Sequence, residues 1–408
     1  MSNTAAPTTA VTLSYALLGI TAALWGSPTA LCVVVLFATK TMLGRRTLLE
    51  GGKATRSADG VHHPTPAEEA AARTQTGNLP ATGLSFTNSR GSVLHVRCVL
   101  PPGAGSASSS STIVASVLLL HGYAAHTNRR SYTATAERLA ARGFAVLMYD
   151  QEGHGRSDGL PGYIPDTELL VDDAERAFQL LADPIATASI EAQAKPELDL
   201  TPAVRMRLSQ VPFFALGQSM GGSLAARLAS RLHGAGHPRF AGAIMLCPAL
   251  EASLPPLPVY LLLKYVIAPL FRRTRMPEAL DAVSDNSKIW VRDEDIRRVE
   301  ADNSPPGGLA TPGSMRFGTG VALLALLDRL AREAPSLRFP FLILHDPEDA
   351  ICKFSGSERL HKLAATPADD KSLIHMKGMK HDLITNCTQK VADEATAWML
   401  QRIDSGGK

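Results

Sequence analysis

Apolar runs of strand length alternate with helical patterns over most of this chain. The runs are rich in β-branched and aliphatic residues, as in strands that are buried on both faces. They cover residues 112–122, 144–150, 211–219, 240–250, 339–346 and 371–378. Helical periodicity covers residues 132–142, 169–181, 222–232, 321–332 and 357–365. This alternation predicts a mostly parallel, doubly wound α/β sheet, in which ligands bind at the carboxyl ends of the strands.

Two further β-rich stretches precede the first of these runs. They lie between Leu84 and Leu100 around a Ser-Arg-Gly turn, which predicts an antiparallel hairpin at one edge of the sheet. Together with the alternation that follows, they predict one folded domain over residues 83–408.

The N-terminus has a different pattern. No charged side chain occurs before Lys40, and residues 16–38 are mostly apolar, close to the roughly 20 residues that span a bilayer as a helix. The uncharged start and the length of this stretch are unlike a cleaved signal peptide. We therefore expect a membrane anchor over residues 1–46, with a helix at about 16–38. A Gly-Ser-Pro sequence at residues 26–28 leaves a kinked helix or a re-entrant hairpin as the alternative.

The segment after the apolar stretch is basic. Only Glu50 opposes its cations, which are Lys40, Arg45, Arg46, Lys53 and Arg56. By the positive-inside rule, this excess predicts a single-pass protein whose folded domain lies in the cytosol. Residues 47–82 are small and polar without apolar periodicity, which is typical of a linker.

The composition narrows the class of protein. Hydrophobic residues make up 45% of the 408 residues and charged residues 19%, which favours a folded chain with a large core over a disordered one. Lysine and arginine number 41 against 38 acidic residues, and no basic block occurs, so no nucleic-acid partner is expected. The five cysteines are widely spaced without a Cys-x-x-Cys pair, which argues against a disulfide framework and against a zinc site.

A Gly-x-Ser-x-Gly motif lies between an apolar run and a helical pattern. It comprises Gly217, Gln218, Ser219, Met220 and Gly221 within FFALGQSMGGSLAARLAS. A serine on a sharp turn from strand to helix is typical of nucleophilic hydrolases, and the flanking glycines let the strand and the helix approach closely. The motif predicts Ser219 as a nucleophile. A glycine-rich turn without chemistry is the alternative for the pentapeptide taken alone.

A serine nucleophile needs a base, which follows it in the chain in this kind of fold. His381 comes in a loop after the last strand pattern. His375 alternates with strand residues, His361 falls within a helical pattern, and His345 precedes the acidic loop too closely. His381 is therefore predicted as the general base.

The orienting acid is expected after the strand pattern that ends near residue 346. The position in the chain does not choose among the three candidates, which are Asp346, Glu348 and Asp349. Asp382 adjoins the base and is expected to be an ordinary loop carboxylate, because adjacent side chains seldom face each other.

Acyl transfer also needs two N–H donors for the oxyanion of the tetrahedral intermediate. The amide that follows the nucleophile is that of Met220. The second donor is expected in the loop after the first buried run, where the sequence is His121-Gly122-Tyr123. We predict that the Tyr123 N–H supplies it.

These motifs in this order resemble the monoacylglycerol lipase branch of the α/β-hydrolase fold, which includes plant caffeoylshikimate esterases. The likeness extends over roughly residues 84–403 and rests on LLLHGYAAHTNRRSY, FAVLMYDQEGHGRSDGLPGYI, LLVDDAERAF, FALGQSMGG, FPFLILHDPEDAIC and IHMKGMKHDLI. In that family the acid usually lies in a Gly-Ser-x-Asp loop. Matching this loop implies that Asp349 is the catalytic acid, although Asp346 and Pro347 replace the usual Gly and Ser.

The resemblance also implies a cap domain at about residues 250–320, where the alternation of strands and helices breaks. This segment contains PPLPVYLLLKYVIAPLFRRT, an apolar element that ends in cations and continues to Arg275. Such a surface suits an anionic membrane, and a cap helix that packs on the core without lipid contact is the alternative. A second insertion at residues 185–210 is longer than is usual in the family and predicts additional surface structure.

The sequence thus predicts a membrane-tethered serine hydrolase that cleaves carboxylic esters through an acyl-enzyme, with a monoacylglycerol or a similar lipid as substrate. No metal and no organic cofactor are expected. Acyl transfer and the hydrolysis of hydroxycinnamoyl or lysophospholipid esters by the same triad are alternatives. None of the 12 histidines is followed five positions later by Asp, a spacing that some acyltransferase relatives carry. A non-catalytic scaffold is an alternative of another class, and the presence of all three triad residues argues against it.

Overall fold

The computed structural model describes residues 84–104, 113–182, 202–278, 281, 283, 285–303, 309, 311 and 313–405. The expected anchor at residues 1–46, the linker at 47–82 and most of the insertion at 185–210 lie outside these residues. Within the described ranges, no helix combines the length and the apolar character that crossing a membrane requires.

Eight strands form a single sheet. They are β1 (Leu84–Thr87), β2 (Val93–Val99), β3 (Ala115–Leu120), β4 (Phe144–Tyr149), β5 (Phe213–Gln218), β6 (Phe240–Leu246), β7 (Phe341–His345) and β8 (Lys371–His375). Their order is β1-β2-β4-β3-β5-β6-β7-β8. The β1–β2 hairpin and the β2–β4 pair are antiparallel, and the other neighbouring strands are parallel. The predicted mostly parallel sheet with an antiparallel hairpin at its edge is confirmed.

The central strands are buried over their whole length. Every residue of β3, β4 and β5 is buried. Helices cover both faces of a doubly wound sheet, so both sets of alternating side chains enter a core. This is why the strands appear in the sequence as continuous apolar runs, whereas the edge strand β8 is only partly buried.

The described helices are α1 (Arg130–Ala140), α2 (Thr167–Ala182), α3 (Pro202–Leu208), α4 (Met220–Gly234), α5 (Leu257–Leu262), α6 (Ala268–Leu270), α7 (Asn286–Ile289), α8 (Asp293–Asn303), α9 (Phe317–Glu333), α10 (Phe354–Leu363), α11 (Leu383–Asn386) and α12 (Thr388–Ser405). Side chains of α2, α4 and α9 join the core on one face of the sheet. Those of α1 and α12 join the core on the other face.

The polypeptide between β6 and α9 departs from the alternation of strands and helices. It contains α5 to α8, with a π-helical turn at Leu263–Ile267 that joins α5 to α6. We call residues 250–316 the cap. Parallel strands end at the same edge of the sheet, so the loops that follow β3, β5, β7 and β8 lie close together.

Candidate active site

Ser219 lies on a strained turn between β5 and α4. Its backbone has φ 57° and ψ −121°, a left-handed conformation that is uncommon for a residue with a side chain. A Cβ atom on Gly217 would lie 2.1 Å from the carbonyl oxygen of Gly221, and one on Gly221 would lie 2.2 Å from that of Leu120. Both positions therefore require glycine, and the crowding fixes the strand-to-helix turn that presents Ser219.

His381 lies in the loop after β8 and faces the serine. Its Nε2 atom is 2.9 Å from the Ser219 Oγ atom. The Gln218 Nε2 group donates a 2.7 Å hydrogen bond to the backbone carbonyl of His381, so the turn that carries Ser219 also contacts the loop that carries His381. The hydroxyl and the imidazole are thus within proton-transfer distance without any rearrangement.

Asp349 lies in the loop after β7 and contacts the other side of the imidazole. Its Oδ2 atom is 2.7 Å from the His381 Nδ1 atom. Its Oδ1 atom accepts hydrogen bonds from the amides of Ile351, at 2.8 Å, and Cys352, at 3.1 Å. Burial acts to raise the pKa of Asp349, but hydrogen bonds from His345 and His381 outweigh it and hold the pKa well below its usual value. The structure therefore keeps a carboxylate at this position.

A second histidine contacts the same carboxylate. The His345 Nε2 atom lies 3.2 Å from the Asp349 Oδ2 atom and 3.1 Å from the Cys352 carbonyl oxygen. The His345 Nδ1 atom is 2.7 Å from the Ser357 hydroxyl on α10. His345 is fully buried, and it contacts the same carboxylate oxygen of Asp349 as His381 does.

The other carboxylates near the site have different partners. The Asp346 Oδ2 atom accepts a 2.6 Å hydrogen bond from the Lys380 amide, and its Oδ1 atom accepts one from the Glu348 amide at 3.0 Å. The Asp382 Oδ2 atom accepts a 2.9 Å hydrogen bond from the Trp290 indole. Among the three acid candidates, Asp349 is the one that contacts the His381 ring.

Two amides lie beside the nucleophile without an acceptor of their own. Met220 is the first residue of α4, and the first amides of a helix have no intrahelical acceptor. In the described part of the chain, neither the Met220 nor the Tyr123 amide donates a hydrogen bond to the protein. A Cβ atom on Gly122 would lie 3.3 Å from the Ser219 Cβ atom, so the Tyr123 loop passes close to the nucleophile. The amides of both residues are therefore free to receive an oxyanion.

A cavity of about 350 Å³ opens at Ser219 and His381. The cap contributes apolar walls through Ile289 and Trp290, and polar ones through residues such as Asn303. The volume is within the range of small-molecule sites. An ester with one apolar and one polar end matches this mixed lining.

Three metal-binding side-chain types meet beneath the triad, but their chemistry does not suit a metal ion. The donor atoms of Cys247, His345 and Asp349 lie within 4.8 Å of one another. Burial raises the pKa of the Cys247 thiol far above its usual value, which keeps it protonated, whereas a metal needs the thiolate. Both ring nitrogens of His345 already have hydrogen-bond partners. Within this cluster, His345 instead forms hydrogen bonds with the Asp349 carboxylate and the Ser357 hydroxyl.

Sequence reasoning missed three contacts around the base: the hydrogen bond from Gln218, the contact of His345 with Asp349, and the contact of Trp290 with Asp382. Gln218 and His345 each adjoin a motif that the sequence revealed, so their proximity could have been inferred. Trp290 lies 92 residues before Asp382 in a segment without a pattern, and no sequence signal pointed to it.

Known proteins match the chain over most of its length. A monoacylglycerol lipase from Mycolicibacterium smegmatis is 28% identical over 288 residues, which are 70% of this chain and 88% of that relative. A human monoglyceride lipase is 26% identical over 344 residues, 83% of this chain and 98% of that relative. The crystal structure of a soluble variant of monoglyceride lipase from Saccharomyces cerevisiae, in complex with a substrate analogue, superposes with a TM-score of 0.57 at 19% identity. That match covers 79% of this chain and 95% of that one, and it shows a shared fold.

The family model described as Hydrolase_4, serine aminopeptidase S33, matches residues 111–190 and 198–388. With these relatives, it confirms the resemblance to monoacylglycerol lipases, the α/β-hydrolase fold and the enzyme class of serine esterase or lipase. The chain therefore belongs to the Hydrolase_4 family of α/β-hydrolases.

Proposed function

We propose that this enzyme hydrolyses a carboxylic ester through a covalent acyl-enzyme on Ser219. His381 Nε2 takes the proton of the Ser219 hydroxyl as the oxygen attacks the ester carbonyl. The Met220 and Tyr123 amides stabilise the oxyanion of the tetrahedral intermediate. The imidazolium then returns its proton to the leaving alcohol, and a water molecule activated by His381 releases the acid and regenerates the serine hydroxyl.

One observation carries this proposal. His381 lies between Ser219 and Asp349 with contacts of 2.9 Å and 2.7 Å, and the two contacts use different ring nitrogens. A carboxylate at Nδ1 holds the tautomer whose Nε2 can accept the serine proton, and it stabilises the imidazolium that forms. The geometry supports general-base activation of Ser219 with Asp349 as the orienting acid.

We propose a monoacylglycerol, or a similar lipid ester, as the substrate. Relatives that match most of the chain are named monoacylglycerol or monoglyceride lipases, and the cavity at Ser219 has both apolar and polar walls. The cap supports a lipid substrate because its large apolar side chains are exposed, among them Leu254, Leu257, Leu261, Tyr265, Leu270 and Phe271. Exposed apolar surface of this extent is typical of a contact with a membrane or a partner.

The charges beside this apolar surface favour an anionic membrane. Arg272 and Arg275 donate hydrogen bonds to the backbone carbonyls of Pro165 and Ser314. Over the described ranges, no ion pair joins Arg272, Arg273 or Arg275 to a carboxylate, although the charge of Asp281 acts on Arg275. Cations next to an apolar patch attract acidic head groups while the apolar side chains enter the lipid. With an anchor helix at about residues 16–38, this cap would hold the active site at a membrane surface on the cytosolic side.

Labelling and a substrate panel test the proposal. The native protein should react with a fluorophosphonate probe and hydrolyse monoacylglycerols, whereas Ser219→Ala should do neither. Ser336→Ala is the matched control, because Ser336 is exposed and its hydroxyl bonds only to the Glu333 carbonyl among the described residues. The panel also contains lysophospholipids, hydroxycinnamoyl esters and short p-nitrophenyl esters.

Each result of the panel bears on a different part of the proposal. Preference for a hydroxycinnamoyl ester would contradict the lipid substrate and leave the triad intact. Transfer of the acyl group to an added alcohol faster than to water would favour an acyltransferase. Absence of both labelling and turnover in the native protein would contradict the catalytic role and favour a scaffold.

A further inference from the structure

The loop that carries the base is held by the cap. We call residues 286–291 the clamp segment and residues 379–386 the base loop. Six hydrogen bonds join them: Lys380 Nζ to the carbonyls of Ser287 (2.7 Å) and Trp290 (2.9 Å), the Asp382 amide to the Ile289 carbonyl (3.2 Å), Trp290 Nε1 to Asp382 Oδ2 (2.9 Å), Asn386 Nδ2 to the Ile289 carbonyl (2.9 Å), and the Val291 amide to Asn386 Oδ1 (3.1 Å). The base loop therefore has the cap, as well as the sheet, as a support.

One of these bonds joins two buried side chains next to the base. Trp290 is 7% exposed and Asp382 is 6% exposed. Asp382 directly follows His381 in the chain, and its carboxylate also accepts hydrogen bonds from the amide and the hydroxyl of Thr385. Asp382 thus caps the N-terminus of α11 and also accepts a hydrogen bond from the indole N–H. Because Asp382 adjoins His381, its position restricts where the backbone of His381 can lie.

Trp290 has a second contact, with the space that the substrate occupies. Its side chain lines the cavity that contains Ser219 and His381. Trp290 therefore borders the cavity and also contacts the base loop. A change in its position alters the shape of the cavity and the support of the base together.

We propose that Trp290 is a positioning residue for the general base and acts on His381 through the carboxylate of Asp382. The bond from the indole holds the base loop at the place where His381 Nε2 lies 2.9 Å from the Ser219 hydroxyl. When the bond is removed, the loop keeps its five other hydrogen bonds with the clamp segment but loses the one that fixes the side chain of Asp382, the residue after the base. A misplacement of reacting groups by about 1 Å can cost on the order of 10²-fold in rate, so even a small displacement of the loop is measurable.

The alternative is that Trp290 only forms a wall for the substrate. Two esters distinguish these roles, because an acetyl group is too small to fill a cavity of about 350 Å³, whereas a long acyl chain fills it. A wall residue affects the long ester alone. A positioning residue affects both esters by the same factor, because both depend on His381.

The test is Trp290→Phe, which removes the N–H donor and keeps an aromatic ring. We expect kcat to fall by about five- to twentyfold on both p-nitrophenyl acetate and a long-chain ester, with KM for the acetate unchanged. The rate of fluorophosphonate labelling should fall by the same factor, because labelling needs the activated serine. The matched control is Ser336→Ala, outside both the clamp segment and the base loop, where the exposed hydroxyl bonds to the Glu333 carbonyl among the described residues; it should leave all three rates unchanged.

Variants at Asp382 provide a second test of the contact between Trp290 and Asp382. Asp382→Asn keeps an oxygen that can accept from the indole and should retain most of kcat, whereas Asp382→Leu should lose at least as much as Trp290→Phe. The double variant Trp290→Phe with Asp382→Leu should lose no more than Asp382→Leu alone, because Asp382→Leu already removes the acceptor of the indole N–H, together with the acceptor of two bonds from Thr385. Should Trp290→Phe fail to fold, as judged by its thermal melt, the contrast between the two Asp382 variants decides.

The inference depends on the proposed function, and the outcomes separate the two. A native protein that hydrolyses neither ester and takes up no probe contradicts both. An active native protein whose Trp290→Phe variant loses activity on the long ester alone, or on neither ester, contradicts the positioning role only. Additive losses in the double variant also contradict it.

Discussion

The sheet and the cap contribute to the same site in different ways. At the strand ends, Ser219 and Asp349 are held by buried backbone hydrogen bonds and by close packing that excludes a side chain at Gly217. The cap instead exposes apolar side chains such as Leu257 and Leu270, which are 67% and 69% exposed. Burial on the sheet side restricts the geometry of the reacting groups, whereas the cap leaves large apolar side chains exposed.

Charged side chains in the sheet and in the cap also differ in whether the protein supplies partners for them. The Asp349 carboxylate contacts two histidines and two amides, so the protein itself supplies its hydrogen-bond partners. At the end of the apolar cap element, Arg272 donates a hydrogen bond to the Pro165 carbonyl and forms no ion pair among the described residues. A compensated charge suits catalysis, because it does not reorganise during the reaction. An uncompensated surface charge suits recruitment of an anionic partner.

Removing the acid should have the largest effect on the sheet side. In Asp349→Asn the amide can present an N–H group to His381 Nδ1, which favours the wrong tautomer of the base. We expect kcat to fall by about 10⁴-fold with KM little changed, as for the same exchange in other triads. Steady-state hydrolysis of a p-nitrophenyl ester measures it.

Asp346→Asn is the matched control for the acid. The amide oxygen can still accept the hydrogen bond from the Lys380 amide and only the bond from the Glu348 amide is lost, so we expect a loss of less than about tenfold. Equal losses in the two variants would contradict the assignment of the acid to Asp349.

The contrast also explains what the sequence could predict. The strands could be predicted because burial on both faces requires a continuous apolar run. Ser219 could be predicted because its crowded turn requires a glycine on each side. His381 follows from its place after the last strand. Choosing among Asp346, Glu348 and Asp349 required the resemblance, because the turn after β7 decides which carboxylate faces the base and which binds an amide. The Trp290 contact required the structure, because cap segments pack through individual side chains without a period.

Disrupting the exposed cap surface should have an intermediate effect that depends on the substrate. Leu257→Ser combined with Leu270→Ser removes two apolar side chains that would enter a lipid surface, each worth about 1.5 to 3 kcal/mol when buried. We expect hydrolysis of a monoacylglycerol presented in anionic vesicles to fall at least about tenfold, through weaker vesicle binding. Hydrolysis of soluble p-nitrophenyl acetate should stay unchanged.

The control for the cap is Met206→Ser, which removes an apolar side chain that is 58% exposed on α3, outside the cap. Its activity on vesicles should match that of the native protein. An equal fall on vesicles and on the soluble ester in the cap variant would indicate damage to the site and would contradict a role in lipid contact. Vesicle co-sedimentation of the Ser219→Ala protein with and without the cap changes separates binding from turnover.

The smallest expected effect is on the free energy of unfolding at acidic pH. It tests how strongly the fold stabilises the ionised form of Asp349. The pKa of Asp349 is lower in the folded than in the unfolded chain, so the ionised carboxylate stabilises the fold at pH values above its unfolded pKa of about 4. This stabilisation is lost as the pH falls through the folded pKa. Urea unfolding between pH 3 and 7 should therefore show a steeper loss of unfolding free energy on acidification for the native protein than for Asp349→Asn. The difference should be on the order of 1 to 3 kcal/mol. The control is Asp404→Asn, at an exposed carboxylate of α12, which should follow the native curve. A native curve as shallow as that of Asp349→Asn would mean that the Asp349 carboxylate is not held in ionised form by its four donors.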